Sequence, residues 1–225
     1  ETIPEDVSTI CDAFSGSAIV SFELKKTHKI ISNEILSSGF LLSRSMVQNN
    51  TTKLTKDDIQ KLSTNNGNKK NFIEDNFTDL FYTKEECQFL DNLRANIEDM
   101  DDECKRAIVY TAICRTLVRK ILFAYFCHTK AIEYRNDEKR WKRNPAIRRD
   151  IKELFFEYLD EYNANIFDNG RENESFNMDV FDFLDSYKKD IDLIYFDPPY
   201  GGTHCDYNSY YHFLETYVNY SHTVT

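Results

Sequence analysis

One short segment constrains the possible folds of this chain most. It contains two rigid prolines between an acid and an aromatic residue, and it follows an apolar, strand-like run. The run is residues 191–196, and it is followed by Asp197, Pro198, Pro199 and Tyr200. Prolines fix φ and leave their carbonyl oxygens free to accept hydrogen bonds. In a parallel α/β sheet, ligands bind at the carboxyl ends of the strands. The segment therefore predicts a site where an acid accepts hydrogen bonds from an amine and a ring stacks on a planar base.

The flanking parts of the chain predict a doubly wound, mostly parallel α/β sheet. Strand-like apolar runs recur in both parts, at residues 7–11, 28–32, 175–179 and 191–196. Segments with helical character follow these runs, at residues 18–26, 35–48, 181–187 and 207–220. Alternation of strands and helices is typical of a parallel sheet with helices on both faces.

The α/β pattern stops between the second and third strands. The region begins with a polar stretch that we assign mainly to loop. Beyond it, three signals predict helices: the helical spacing of apolar residues, a capping box, and Pro145 at a first helical position. The predicted helices are residues 56–62, 83–96, 101–128 and 145–162. We therefore expect a catalytic α/β core of residues 1–49 and 169–225, interrupted by a helical insertion of residues 50–168.

Charge is distributed unevenly along the chain. The formal net charge is −10, yet residues 105–149 contain 13 Lys and Arg against three Asp and Glu. Basic residues around an aromatic ring suit neutralisation of phosphates together with contact to a base or sugar. A charged run also forms the solvated face of many helices, and that alternative stays open. The candidate nucleic-acid contacts are Arg135, Lys139, Arg140, Trp141, Lys142 and Arg143.

Several classes of protein are disfavoured. No apolar stretch approaches the roughly 18–20 residues of a membrane span, and the acidic N-terminal segment is unlike a signal peptide. Six scattered cysteines indicate free thiols in a reducing cytoplasm. His204, Cys205 and His212 lie near the Asp197 motif without further residues at ligand spacing, so we expect no metal.

A glycine-containing turn follows the first strand. Asp12 ends that strand, and Phe14, Gly16 and Ser17 lie in the loop before the next helix. Such a turn lets backbone amides approach a ligand, and the following helix N-terminus favours negatively charged parts of it.

Two further acids follow strands. Glu34 comes after the second strand, where an acid in a dinucleotide-binding fold accepts hydrogen bonds from ribose hydroxyls. Asp179 comes after the third strand. Either carboxylate also fits a helix N-cap, and Glu34 also fits a solvent-exposed position.

In combination, these residues resemble the motifs of amino-group methyltransferases. The Asp-Pro-Pro-Tyr run resembles motif IV, and the turn after Asp12 resembles motif I, in which a glycine usually stands at the place of Ala18. Along the chain, the order is the glycine turn after Asp12, then Glu34, the helical insertion, Asp179 and the Asp-Pro-Pro-Tyr run. It is that of the Dam-like, or class alpha, DNA adenine methyltransferases. The resemblance covers about residues 7–49 and 172–219.

The resemblance implies S-adenosylmethionine as the methyl donor and double-stranded DNA as the partner, in a restriction–modification system. It implies that Asp12 meets the methionine ammonium, Glu34 the ribose and Asp179 the adenine, with Asp197 adjoining the cofactor. Asp197 and the Pro198 carbonyl then receive the amine of a flipped-out adenine, and the inserted region reads the DNA target.

Two other functions stay open, an RNA amine methyltransferase and an inactive nucleic-acid-binding remnant. Ala18 in place of glycine favours the remnant. The family usually has seven strands where four are visible here. We therefore expect that missing segments or a complementary chain complete the sheet, and that the chain alone has little activity.

Overall fold

The computed structural model describes residues 3–121, 125–127, 131–200 and 207–222. Its centre is a four-stranded sheet in which every neighbouring pair is parallel, in the order β3–β2–β1–β4. The strands are β1 Thr9–Asp12, β2 Lys29–Asn33, β3 Glu174–Phe176 and β4 Leu193–Tyr195. The predicted α/β class and parallel sheet are confirmed.

The strand register aligns the carboxyl ends of the strands at one edge of the sheet. Asp12 is paired with Ser32 on β2 and with Tyr195 on β4, and Asn33 is paired with Phe176 on β3. The residues that follow these strands therefore converge on one side, as parallel topology requires.

Consecutive residues of the central strands pack on opposite faces, since side chains alternate along a strand. Ile10 and Ile30 lie against the first helices of the chain, in a cluster that includes Val47. Cys11 and Ile31 face the other side, where they meet Phe183. Both faces of the sheet are covered at its centre, which explains why two consecutive residues are apolar in each central strand, Ile10 and Cys11 in β1 and Ile30 and Ile31 in β2.

The α-helices among the described residues occupy both parts of the chain. They are α1 Ile19–Leu24, α2 Ser37–Ser43, α3 Lys56–Leu62, α4 Phe72–Phe77, α5 Lys84–Glu98, α6 Glu103–Lys120, α7 Ala131–Asn136, α8 Glu138–Trp141, α9 Ile151–Ala164, α10 Val180–Ser186 and α11 Tyr207–Asn219. A π-helix, Arg44–Gln48, continues α2, and a 3₁₀-helix, Pro145–Arg148, precedes α9. None of the described helices is long and apolar enough to cross a membrane.

Three helix predictions need correction. The helix predicted over residues 145–162 is broken, because Arg149 is extended and Asp150 caps α9 anew. α6 ends at Lys120, since Ile121 is extended. α4 lies in a stretch assigned mainly to loop, and its first amides are held by the distant Asp91 carboxylate rather than by a local cap.

The largest apolar core lies among the helices of residues 50–168 and extends to α11. Phe213 and Tyr217 of α11 are fully buried in it, and the Tyr217 hydroxyl donates to the Leu90 carbonyl at 3.2 Å. The helical region and α11 therefore share one core. The division of the chain into a catalytic core and a DNA-reading insertion stays a prediction.

Candidate active site

Three carboxylates lie at the carboxyl edge of the sheet, which we take as the candidate binding crevice. Asp12 ends β1, Glu34 follows β2, and Asp197 follows β4. Burial raises the pKa of Asp12, and the negative charges of Glu34 and Asp197 raise it further, against an opposing hydrogen bond from Ser21. The strand register and this influence on Asp12 agree in placing the three predicted acids at the same edge of the sheet, where their negative charges favour a bound cation.

Asp12 is the most deeply buried of these acids, at 2% exposure. Its Oδ2 accepts a hydrogen bond from the Ser21 hydroxyl at 2.7 Å. Its Oδ1 is buried and accepts no hydrogen bond of ordinary geometry from the described residues, although the nearby Phe14 amide lowers the pKa of the carboxyl group. A buried carboxylate oxygen without a partner is costly, and a ligand ammonium satisfies it.

The loop after β1 has the tight shape that its glycine predicts. Gly16 has φ +47°, and Ala18 has φ +52° at the residue before α1. Both values lie in the left-handed region, which a residue with a Cβ adopts at a cost of roughly 1–2 kcal/mol. Ala18 therefore adopts a conformation that favours glycine, the residue that the motif usually has at this place. The loop exposes Gly16 and Ser17 and half-buries Phe14.

Glu34 closes over this loop from β2. Its Oε2 accepts from the Gly16 amide at 2.7 Å, and its Oε1 accepts from the Leu36 amide at 2.9 Å. A carboxylate oxygen can accept two hydrogen bonds, so both oxygens of Glu34 keep capacity for further donors such as ribose hydroxyls. Gly39 of α2 allows this packing, because a Cβ there would lie 2.7 Å from the Glu34 Cγ and 2.9 Å from the Gly16 carbonyl oxygen.

Asp179 lies at the end of the β3 segment and caps α10. Its carboxylate accepts a hydrogen bond from the Phe181 amide at 2.8 Å, so the N-cap interpretation is confirmed. The carboxylate is exposed, and the Phe181 ring beside it is 75% exposed. Asn177, which the sequence analysis missed, donates to the carbonyls of Glu34 and Ile35 and fixes the turn after β2.

Asp197 is exposed at the mouth of the crevice between two phenol groups. The Tyr195 hydroxyl lies 3.4 Å from its Oδ2, and the Tyr200 hydroxyl lies 3.4 Å from its Oδ1. The negative charge of Asp197 raises the pKa of Tyr195. Tyr195 was missed as a site residue, although its position two residues before Asp197 signals a shared side of the chain. Tyr200 is 70% exposed, with its ring free to meet a base.

The comparisons with known proteins agree with this geometry. The profile of the D12 class N6 adenine-specific DNA methyltransferases matches residues 1–223. The chain belongs to this family. The family resemblance drawn from the motifs is thereby confirmed.

Two curated proteins that resemble this D12 class chain are named as type II methyltransferases. M2.HphI of Haemophilus parahaemolyticus is 35% identical over 226 residues, which cover 97% of this chain and 66% of that protein. M.FokI of Planomicrobium okeanokoites is 24% identical over 248 residues, which cover 99% of this chain and 34% of that protein. The chain thus spans about two thirds of one relative and one third of the other. No solved structure matches significantly.

The basic run of this D12 class chain divides into buried and exposed parts. Arg135 is turned inward, with its guanidinium on the Glu86 carboxylate at 2.5 Å and on the Phe81 carbonyl at 3.1 Å. Lys120, which is 1% exposed, shares Glu86 at 2.9 Å. Arg135 is therefore corrected from a nucleic-acid contact to part of an internal ion cluster.

The other predicted contacts lie at the surface around α8. Lys142 pairs with Glu138 at 2.7 Å, and Arg140 pairs with Asp137 at 3.1 Å. Both pairs are short-range and solvent-exposed, so they contribute little stability and exchange readily with phosphates. The Arg148 guanidinium covers the ring of half-buried Trp141. Exposed Lys139 and Arg143 form no ion pair within the part of the chain that the structure describes.

Some predicted features cannot be placed. His204, Cys205 and the glycines after Tyr200 lie outside the described residues. Within the described ranges, no three or more His, Cys, Asp or Glu side chains are arranged so that they could hold a metal ion.

Proposed function

We propose that this chain carries the cofactor and target-adenine sites of a type II DNA methyltransferase. It would transfer a methyl group from S-adenosylmethionine to the N6 amine of adenine in a specific DNA sequence. The observation that carries the proposal is that Asp12, Glu34 and Asp197 come at the carboxyl ends of neighbouring parallel strands, with the Asp12 Oδ1 buried and without a partner among the described residues. Membership of the D12 class and the names of the two relatives support the same activity.

The crevice fits the parts of S-adenosylmethionine in order. The Asp12 Oδ1 suits the ammonium of the methionine moiety, because that group supplies the missing hydrogen bond and the opposing charge. The loop of Phe14, Gly16 and Ser17 lies next to it, and Glu34 adjoins the loop for the ribose hydroxyls. Asp179 suits the amino group of the cofactor's adenine.

When bound, S-adenosylmethionine supplies a methyl group made electrophilic by the sulfonium. The target amine is a poor nucleophile, because its lone pair is delocalised into the adenine ring. Asp197 and the Pro198 carbonyl each accept one hydrogen bond from the amine. These bonds favour a pyramidal nitrogen and direct its lone pair toward the methyl group. The Tyr195 and Tyr200 hydroxyls orient the Asp197 carboxylate. Positioning of this kind is worth up to several kcal/mol.

The target adenine must leave the duplex to reach Asp197. Extrusion costs a few kcal/mol, and stacking on an aromatic ring recovers roughly 1–3 kcal/mol. Tyr200 offers such a ring at the mouth of the crevice. The proposed target-recognition region, residues 50–168, contains exposed cations that suit contact with the DNA backbone; they are Lys139, Lys142 and Arg143, next to Arg140 and Trp141.

Among the described residues β4 pairs with β1 alone, and this open edge leads us to propose further polypeptide beside it. Ile194 and Tyr195 are 38% and 37% exposed, and an uncovered apolar strand favours pairing. Missing segments or a complementary chain are the occupants that this proposal names.

The test is the Asp197→Ala variant, assayed for transfer of a labelled methyl group to DNA and for cofactor binding by calorimetry. We expect transfer to be lost while the cofactor Kd stays within threefold, since Asp197 acts mainly on the amine. Equal loss of both would make Asp197 structural. Transfer to RNA in preference to DNA would favour the RNA alternative, and a wild-type protein without binding heat would favour the remnant.

A further inference from the structure

Glu215 connects α11, the helix that follows the Asp-Pro-Pro-Tyr motif, to α2, the helix that packs against the cofactor loop, which is the loop after β1 that contains Gly16. Its two carboxylate oxygens accept hydrogen bonds from the backbone amides of Ser37 and Ser38, at 2.9 and 2.8 Å. Those amides open α2, and first-turn amides have no partner within their own helix. A carboxylate at this place satisfies two of them and interacts favourably with the helix dipole.

The start of α2 has no local substitute for Glu215. The N-cap residue is Leu36, whose side chain makes no capping hydrogen bond. The Leu36 amide is already taken by the Glu34 Oε1. The first turn of α2 is therefore held by two carboxylates, one from the proposed cofactor site and one from a helix far along the chain.

The position of α2 is transmitted directly to the cofactor site. Gly39 sits so close to Glu34 and Gly16 that even a Cβ would not fit between them. Ser43, one helical turn further on, contacts the hydroxyl of Ser15 in the glycine loop at 2.9 Å. A small displacement of α2 therefore changes the position of Glu34 together with that of the loop from Ser15 to Gly16.

The other end of this connection is rigid. α11 begins at Tyr207, shortly after Tyr200, and its inner face is buried in the helical core. The Tyr217 hydroxyl donates to the Leu90 carbonyl, and the Arg94 guanidinium donates to the Val218 carbonyl at 3.2 Å. Glu215 projects from a fixed helix and carries that fixed position to α2.

Building on the proposed function, we propose that Glu215 is a positioning residue for cofactor binding. It holds α2, and through α2 it holds Glu34 and Gly16 in the arrangement that receives the ribose of S-adenosylmethionine. It acts through the α2 backbone rather than by contact with the reacting groups. In this way the helix after Asp-Pro-Pro-Tyr sets the geometry of the cofactor loop.

The test compares Glu215→Gln with Tyr217→Phe, a matched variant that removes a different anchor of the same helix. Glutamine keeps one acceptor oxygen but turns an NH₂ group toward the second amide. We expect Glu215→Gln to weaken binding of S-adenosylhomocysteine about tenfold in calorimetry. In steady-state assays, KM for S-adenosylmethionine should rise similarly while kcat at saturation stays within threefold. Tyr217→Phe should lower the Tm and leave the Kd within twofold.

Other outcomes overturn the proposal. Unchanged affinity in a destabilised Glu215→Gln protein would make Glu215 a helix cap only, and equal weakening in both variants would indicate general loosening. If Glu215→Gln does not fold, Glu215→Asp keeps the charge with a shorter reach and should show an intermediate loss of affinity; wild-type affinity would refute the inference. A wild-type protein that binds no cofactor refutes the proposed function itself.

Discussion

Replacing Gly39 by alanine places a methyl group where the crevice has no room for one. On helix propensity alone the change would stabilise α2 by about 1 kcal/mol. The new Cβ would lie 2.7 Å from the Glu34 Cγ and 2.9 Å from the Gly16 carbonyl oxygen, against ordinary carbon contacts of about 3.5–4.0 Å. Overpacking of this kind costs typically 1–3 kcal/mol.

A second cost arises because Glu34 cannot yield without loosening its hydrogen bond from the Gly16 amide. A hydrogen bond to a charged group is worth about 1.5–3 kcal/mol. We therefore expect Gly39→Ala to be destabilised by about 1.5–5 kcal/mol in net if that hydrogen bond is lost, with cofactor binding weakened at least about tenfold. For a chain of this size, each kcal/mol lowers the Tm by about 2–4 °C.

The assay is thermal unfolding together with calorimetric titration of S-adenosylhomocysteine, with Gly67→Ala as the matched control. No atom lies within 4 Å of a Cβ at Gly67. The control should therefore be neutral or stabilised by up to about 1 kcal/mol, with unchanged affinity. A Gly39→Ala protein as stable as wild type, with wild-type affinity, would refute the claim that close approach of α2 builds the cofactor site.

The double variant Lys139→Glu/Arg143→Glu should weaken DNA binding and flatten its dependence on salt by about two phosphate contacts, measured by fluorescence anisotropy over a salt series. An unchanged slope would place the DNA elsewhere. Burial raises the pKa of Asp12, so the folded state holds a proton that the unfolded state has released, and stability falls as pH rises through that interval. Asp12→Asn should therefore be more stable than wild type at pH 7 and bind cofactor at least about tenfold more weakly; a less stable variant would contradict this reasoning.

The parallel sheet was predictable because its signals are local. Apolar runs that each end in an acid or a polar turn define β1, β2 and β4, and parallel topology then brings Asp12, Glu34 and Asp197 to one edge. Ala18 shows the limit of such signals. Its left-handed backbone conformation is visible only in the structure, although the glycine usual at that place hints at it.

Features that depend on distant partners were not predictable. α4 begins where Asp91 supplies acceptors from α5, whereas Asn71 at its N-cap position makes no capping hydrogen bond. Arg135 looks like its exposed basic neighbours, and only the fold reveals Glu86 beside it. The contact of Glu215 with α2 likewise depends on the packing of α11 against α2, which no local sequence pattern indicates.

Several costs in this structure lie beside the proposed cofactor site. Asp12 carries a buried oxygen without a partner among the described residues, Ala18 holds a left-handed backbone, and the negative charges of Glu34 and Asp197 act on Asp12. Such departures from local optima are expected at functional sites and are compensated elsewhere. A bound cation offsets the repulsion and satisfies Asp12 together, so cofactor should raise the stability of this protein. Mass action sets that gain at about 2.7 kcal/mol when the cofactor is present at 100 times its Kd.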